Sequence, residues 1–247
     1  MSLSWLKRKH LRIGLGPQRV MLSGGKAVEL APSDDWRAGI AALPDILKNH
    51  KAREASVVLA DQFVRYALLP WSESVKTREQ WLAIAKHRFS ALHGAIAAHW
   101  DVKVTETSPM GPRLACAVDR ELIAEIAVKF VGAGVNLVSV QPFLVAAFNR
   151  IRHQVGNGSC WIVVEEPGRL TLALIQRGAW VAIRSRRSDE RWRIVLPEIL
   201  ERESAFLGLD QPCTRVIVCA QGEFDTTIHD AWRAHAMSYR ELALAWE

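Results

Sequence analysis

The chain lacks most of the patterns that define an activity by themselves. It has four cysteines in 247 residues, Cys116, Cys160, Cys213 and Cys219, with no C-x-x-C pair. That spacing argues against a disulfide framework or a zinc ribbon and predicts buried free thiols in a reducing cytoplasm. The eight histidines form no H-x-x-x-H or H-E-x-x-H pattern. His87 and His93 are six apart on one expected helix, a spacing that does not return to the same face, so no metal site is expected. Charged or polar residues interrupt every apolar run before it nears the roughly 20 residues of a membrane-spanning helix. Low-complexity segments are absent. The N-terminal stretch carries Lys7, Arg8 and Lys9 but no apolar segment leading to a cleavage site, which makes it a poor secretory signal. Together these absences predict a cytoplasmic protein that does not span the membrane.

What is present is a composition able to build a sizeable core, 49% hydrophobic and 23% charged. The balance of 32 Lys+Arg against 26 Asp+Glu gives a net charge of +6, which permits an acidic partner without selecting one. The basic residues gather at Lys7, Arg8 and Lys9 and again at Arg184, Arg186, Arg187, Arg191 and Arg193. Neither cluster interleaves aromatics in a nucleic-acid motif, because Trp192 shares a helical stripe with Val195, Leu196 and Ile199; nucleic acid is not an expected partner.

One unit is written twice. Its first copy runs through short apolar segments at 11–15, 19–22 and 26–30, a helical stretch at 34–49 and a further strand at 56–59. The second copy repeats that order at 160–164, 169–176 and 179–184, then a helix at 189–207 and a strand at 215–219. Short turns between the first three segments predict an antiparallel meander followed by a helical crossover, and the repetition predicts two sheet-based lobes. Between the copies lies a different region. After an apolar stretch at 63–69, a capping box formed by Thr77 and Gln80 opens a helix on which Trp81, Ala85, Phe89, Leu92 and Ile96 recur at helical spacing. Strands at 100–105 and 113–118 flank a turn rich in proline and glycine at 108–112. Asp119 then caps a helix with an apolar stripe of Leu122, Ile123, Ile126, Phe130 and Val131, ending at Gly132 and Gly134. A strand at 135–140 and a helix begun by Pro142 lead to the second copy.

Two strand-rich lobes with an insertion in the first resemble the actin-like ATPase superfold. More narrowly, the chain resembles the actin-like proteins of type IV pilus and type II secretion assembly, the PilM family and the cytoplasmic part of the GspL family. The residues that carry this are Ile13, Gly14, Leu15 and Gly16 followed by Arg19 to Leu22, the segment 57–71 with Arg65 and the closing Pro70 and Trp71, and Trp161 to Val164 with Gly178. The resemblance implies an α/β, actin-like (ribonuclease H-like) two-lobed fold, degenerate and truncated at the C-terminus. It places a first lobe at 1–155, with an inserted subdomain near 63–118, and a shortened second lobe at 156–247.

Departures from the nucleotide-binding pattern decide the expected chemistry. In nucleotide-binding members, the hairpin after the first strand of each lobe turns backbone N–H groups toward the phosphates. Here the first hairpin reads Gly14, Leu15, Gly16, Pro17, Gln18; Gly14 stands where an Asp is expected and Pro17 lacks an N–H. The second reads Glu165, Glu166, Pro167, Gly168, with two carboxylates facing a polyanion. Each charge-assisted bond lost there is worth about 1.5–3 kcal/mol. A late Gly-Gly turn is reduced to Gly222, and no sizeable element is expected after it. Gly14, Gly16, Glu165, Gly168 and Gly222 are therefore expected as a vestigial cofactor site. Glu165 is the one metal candidate, and ATP with magnesium enters only under an alternative reading as a divergent kinase or ATPase.

The expected role is that of a non-catalytic scaffold, peripheral to the inner membrane. Resemblance implies that its partners are cytoplasmic tails or domains of inner-membrane pilus or secretion proteins, docked in a groove. Ten tryptophans make some exposed aromatic surface expected. The candidate partner-binding residues are Arg65, Trp71, Trp81, Arg186 and Arg187.

Overall fold

The computed structural model describes residues 10–23, 26–31, 33, 35–50, 52–105, 111–155, 158–209, 213–220 and 233–238. The basic cluster at Lys7 to Lys9, most of the 108–112 turn and Gly222 lie outside the described residues. In chain order the elements are β1 (His10–Leu15), β2 (Arg19–Leu22), β3 (Ala27–Glu29), α1 (Arg37–His50), β4 (Glu54–Leu59), β5 (Val64–Leu69), α2 (Arg78–His93), β6 (Trp100–Val104), β7 (Arg113–Asp119), α3 (Arg120–Gly132), β8 (Asn136–Pro142) and α4 (Phe143–Val155). They continue with β9 (Ser159–Glu166), β10 (Arg169–Gln176), β11 (Ala179–Arg187), α5 (Trp192–Phe206), β12 (Arg215–Ala220) and β13 (Arg233–Ser238).

The duplicated pattern becomes two five-stranded sheets with the same plan, β3-β2-β1-β4-β8 and β11-β10-β9-β12-β13. In each, the first strand of the copy is antiparallel to its hairpin partner and parallel to the strand after the helix: β1 to β4, and β9 to β12. A parallel neighbour cannot be reached by a tight turn, which is why a helix separates the strands of each parallel pair. The last strand of each sheet is parallel too, β8 on β4 and β13 on β12. The expectation that nothing sizeable follows the Gly222 turn is thus corrected. β13 reads Arg-Ala-His-Ala-Met-Ser, with no β-branched or aromatic residue to announce a strand.

Period-two burial builds the core. Leu11, Ile13 and Leu15 are buried on one side of β1, with α1 and α3 packed together beside them. A Cβ added to Gly39 of α1 would lie 2.6 Å from Leu15 Cδ1, so any larger residue there would have to push the buried Leu15 side chain aside. α4 then joins the sheets, packing on β4, β8 and β9. Its Phe143, Leu144, Ala147 and Ile151 are buried, and the Phe148 ring lies 4.6 Å from that of Trp180. One apolar cluster consequently runs from Ile13 and Val57 through α4 to Ile162, Val164 and Ile217 of the second sheet. The opposite face of that sheet, including Trp161, Leu172 and Leu174, is covered by Trp192, Leu196 and Ile199 of α5.

The insertion is a three-stranded antiparallel sheet, β5-β7-β6. Val64, Leu114, Cys116 and Val118 face the shared core, while Ala67, Leu69, Ala115 and Ala117 face Trp81, Ala85 and Phe89 of α2. The capping box is in place: Gln80 N–H donates to Thr77 Oγ1 at 3.2 Å, and Thr77 N–H donates to Gln80 Oε1 at 3.0 Å. The apolar stripe is shorter than expected. α2 ends at His93, Gly94 takes a φ of +72°, and the chain tightens into a 3₁₀ turn, Gly94–His99, leaving Leu92 and Ile96 exposed. Val131 is 78% exposed rather than part of the α3 stripe, because the buried series Leu122, Ile126, Phe130 advances by four and its next neighbour points about 100° away. All four cysteines are buried and none forms a disulfide, and burial pushes the Cys160 thiol up to about 12. Among the described residues no helix is long and apolar enough to cross a membrane.

Trp81, proposed from sequence as a partner-binding residue, is a core residue 2% exposed beneath the Arg113 guanidinium. Trp81→Ala is expected to lower the free energy of unfolding by about 3–5 kcal/mol in urea titrations, whereas Val131→Ala should change it by no more than about 0.5 kcal/mol.

Candidate functional site

The two hairpins expected to face a nucleotide are turned to internal use. Gly16 N–H donates to Arg19 O at 3.1 Å, closing its own turn. A Cβ on Gly14 would approach Met21 Cβ to 3.3 Å, and one on Gly16 would approach Arg19 O to 3.2 Å. Both glycines serve close packing within the β1–β2 hairpin. In the second hairpin Gly168 has a φ of +78°, a conformation that favours glycine. The Pro167 carbonyl accepts a 2.7 Å bond from Gln62 Nε2, a residue of the first lobe.

That bond belongs to a polar junction centred on Asp61, in a 3₁₀ turn, Asp61–Phe63, directly after β4. Asp61 is 1% exposed. Its Oδ1 accepts from Tyr66 Oη at 2.5 Å and from the Leu144 N–H, in the first turn of α4, at 3.1 Å. A carboxylate at that helix end meets the positive pole of the helix dipole. The Asp61 N–H donates across the lobes to Glu166 Oε2 at 2.8 Å. Asp61 Oδ2 and Thr171 Oγ1 are buried with no partner at hydrogen-bonding geometry, although Thr171 is near enough to lower the Asp61 pKa. Burial dominates and pushes the Asp61 carboxyl up to about 6, against the pull of Tyr66, Leu144, Thr171 and Arg169. The Tyr66 hydroxyl is pushed well above its ordinary value by burial and by the Asp61 charge.

Sequence reasoning missed Asp61 and chose the wrong glutamate. Along β9, Cys160, Ile162 and Val164 face the shared core, so Glu166 faces the seam, while Glu165 follows Trp161 and Val163 to the α5 side. Glu165 accordingly lies on the side of the strand away from the seam, and Glu166, 3% exposed, is the glutamate on the seam side. Arg65 is half-buried beside the seam, donating to the carbonyls of Gln62 at 3.0 Å and Val64 at 3.2 Å. Burial, and then the Arg169 charge, lower its pKa. Trp71 is 37% exposed past the end of β5, and Arg186 and Arg187 are exposed at the end of β11. Trp81, in the core of the insertion, is not brought together with them.

A separate open groove of about 560 Å³ lies where the insertion meets α3, lined by Ile96, His99, Trp100, Asp119, Arg120, Glu121 and Ala124. Its walls are fixed by local bonds. Asp119 caps α3 by accepting from the Glu121 N–H at 2.9 Å, Arg120 donates to Ala98 O at 3.1 Å, and Glu121 pairs with Arg37 of α1 at 2.9 Å. Trp100 is held edge-on to His93, with ring centroids 5.0 Å apart. Ile96 is 58% exposed, and beyond Ala124 the exposed Val128 and Val131 continue the same side of α3. The arrangement offers apolar walls and a charged rim, suited to a short amphipathic segment. No sequence signal marked this groove, because Ile96 read as one more residue of the α2 stripe.

The Asp61 junction has a pH signature. An acid whose folded pKa lies near 6 against an ordinary 3.8 holds its proton more tightly when folded, so its contribution to stability is greatest below about pH 4 and is lost as pH rises through about 6. Wild type measured against Asp61→Asn should therefore gain about 2–3 kcal/mol in unfolding free energy between about pH 7.5 and pH 4. A difference that stays constant over this range would contradict the assignment.

No protein-family description and no curated protein matches the chain. Solved structures do. It is similar to a chain of the PilM-PilN type IV pilus biogenesis complex, with TM-score 0.66 and 13% identity over 93% of this chain and 88% of the other. It is also similar to a Bacteroides thetaiotaomicron protein with an actin-like ATPase fold and unknown function, TM-score 0.60 and 11% identity over 99% of both. A third likeness is to the cytoplasmic domain of EpsL, an inner membrane component of the type II secretion system of Vibrio cholerae, TM-score 0.57 and 11% identity over 95% of this chain and 91% of the other. Two sheets of matching strand order, one carrying an inserted subdomain and the two joined through a shared core, together with these likenesses, give the chain the actin-like ATPase fold.

Proposed function

We propose that this protein is a non-catalytic actin-like scaffold that works in the cytoplasm at the inner membrane and docks cytoplasmic segments of membrane components of a type IV pilus or type II secretion assembly. The observation that carries this reading is a contrast between two places. The seam between the lobes is bridged by two hydrogen bonds among the protein's own groups, Asp61 N–H to Glu166 and Gln62 to the Pro167 carbonyl, whereas the groove between the insertion and α3 is open. A nucleotide entering the seam would have to displace those bonds and approach the Glu166 carboxylate, with one N–H absent at Pro17 and the Gly16 N–H already engaged. The groove has the size and mixed lining of a peptide site. The likeness to a chain of the PilM-PilN complex and to the EpsL cytoplasmic domain supports the choice of assembly.

The reading is tested by fluorescence anisotropy with labelled synthetic peptides that cover the cytoplasmic segments of pilus and secretion inner-membrane proteins from the same organism. At least one should bind saturably, and Ile96→Glu or Ala124→Glu should weaken it about tenfold or more by putting a charge against the apolar wall. Binding that neither substitution alters would place the partner elsewhere, and saturable binding by none of the peptides would overturn the proposal.

A further inference from the structure

The arginines at the far end of β11 form a second feature, independent of the groove. Among the described residues β11 is the terminal strand of its sheet; it pairs with β10 and lies against β5 of the insertion, and its end from Arg184 to Arg187 runs on past that contact into solvent. It runs to Arg187, three residues beyond the stretch read from sequence, and the segment from Arg184 to Arg187 is exposed at every position. In the ladder Arg187 lies directly opposite Arg169, and Arg186 opposite Leu170. Like charges facing each other across a strand pair are destabilising. Arg65 adds a third guanidinium at the same place, close enough to Arg169 for the two charges to act on each other.

The neighbouring acids are committed elsewhere. Arg184 pairs with Glu203 of α5 at 3.5 Å. Glu166, opposite Arg169 on its other side, accepts from the Asp61 N–H, and Asp61 is held by Tyr66 and Leu144. Arg169 itself donates to Ser185 Oγ at 3.1 Å, and Arg65 to backbone carbonyls. Among the described residues no ion pair joins Arg65, Arg169, Arg186 or Arg187 to a carboxylate. A single charge is enough to guard an edge strand against unwanted pairing. Arg187 lies on the seam face of the ladder with Arg169, whose charge also acts on Asp61, while Arg186 lies with Leu170 on the α5 face; among the described residues Arg186 and Arg187 have no ion pair, and an anion at this strand end would relieve the repulsion.

We propose that the exposed edge of β11 from Arg184 to Arg187, with Arg65 and Arg169 beside it, receives an extended acidic segment of a partner protein by strand addition. The backbone of the segment would continue the sheet, and carboxylates at alternate positions would meet the arginines, because successive side chains of a strand alternate between faces. Charge complementarity selects an acidic segment, and the open strand edge selects an extended one. This surface stands apart from the groove lined by Ile96 and Trp100, so a scaffold could hold two partners at once.

The test uses the full chain and a fluorescein-labelled peptide alternating glutamate and valine. Saturable binding that weakens with added salt, and that falls about tenfold in Arg186→Glu/Arg187→Glu, is the expected result. Arg186→Gln/Arg187→Gln should fall less, and neither variant should melt below wild type, because exposed charges contribute little to folding and loss of the Arg187 charge relieves its repulsion with Arg169. A peptide of the same sequence with alternate backbone amides methylated should lose binding, while Ile96→Glu should leave it unchanged. Equal binding by the methylated peptide, or indifference to the arginine substitutions, would overturn strand addition. Tighter uptake of phosphatidylglycerol vesicles or of a single-stranded oligonucleotide through the same arginines would reassign the surface to a membrane or to nucleic acid.

Discussion

One buried carboxylate ties the molecule together. Asp61 follows β4 of the first sheet, accepts from Tyr66 of the insertion, caps α4 through Leu144 and donates its backbone N–H to Glu166 of the second sheet. Four separate parts of the chain are therefore fixed by one side chain and its own amide. Such a junction is costly to break singly, because each group left behind is buried and unpaired. Around it lies the apolar cluster that α4 shares between the two sheets. The two sheets are thus joined by this packing and by the Asp61 junction.

The site's chemistry follows from that constraint. Where a nucleotide-binding relative would present free backbone N–H groups, this chain uses the Gly16 N–H within its hairpin and the Pro167 carbonyl for Gln62. The groove beside Ile96 and Trp100 and the arginine-rich end of β11 both lie outside the seam. Under the proposed scaffold role, surfaces outside the seam let partners bind without first opening it.

How much of this could be read from sequence depended on how local the interactions are. The duplicated meanders were legible, because apolar alternation and turn residues are short-range signals. The Thr77 and Gln80 box was legible for the same reason. β13 was not, since Arg-Ala-His-Ala-Met-Ser has low strand preference and forms its ladder on β12 from a distant part of the chain. Asp61 was invisible because its partners Leu144 and Glu166 are 83 and 105 residues away in sequence. Trp81 was offered as a partner-binding residue although its stripe with Ala85 and Phe89 marks a buried face, because a helical stripe does not say whether a partner or the protein's own sheet covers it, here Ala67, Ala115 and Ala117. Choosing Glu165 over Glu166 was an error of one residue in phase, which in a strand exchanges the two faces.

The proposed scaffold role rests on the bonds that bridge the seam between the lobes, Asp61 to Glu166 and Gln62 to Pro167, standing where a nucleotide would have to enter. The most direct measurement is the melting temperature of the purified chain across a titration of Mg-ATP and Mg-ADP. A ligand that binds the folded state must raise the melting temperature in proportion to its saturation. The account predicts no shift at any concentration of either nucleotide. A saturable rise that Glu166→Gln or Asp61→Asn alters would contradict it.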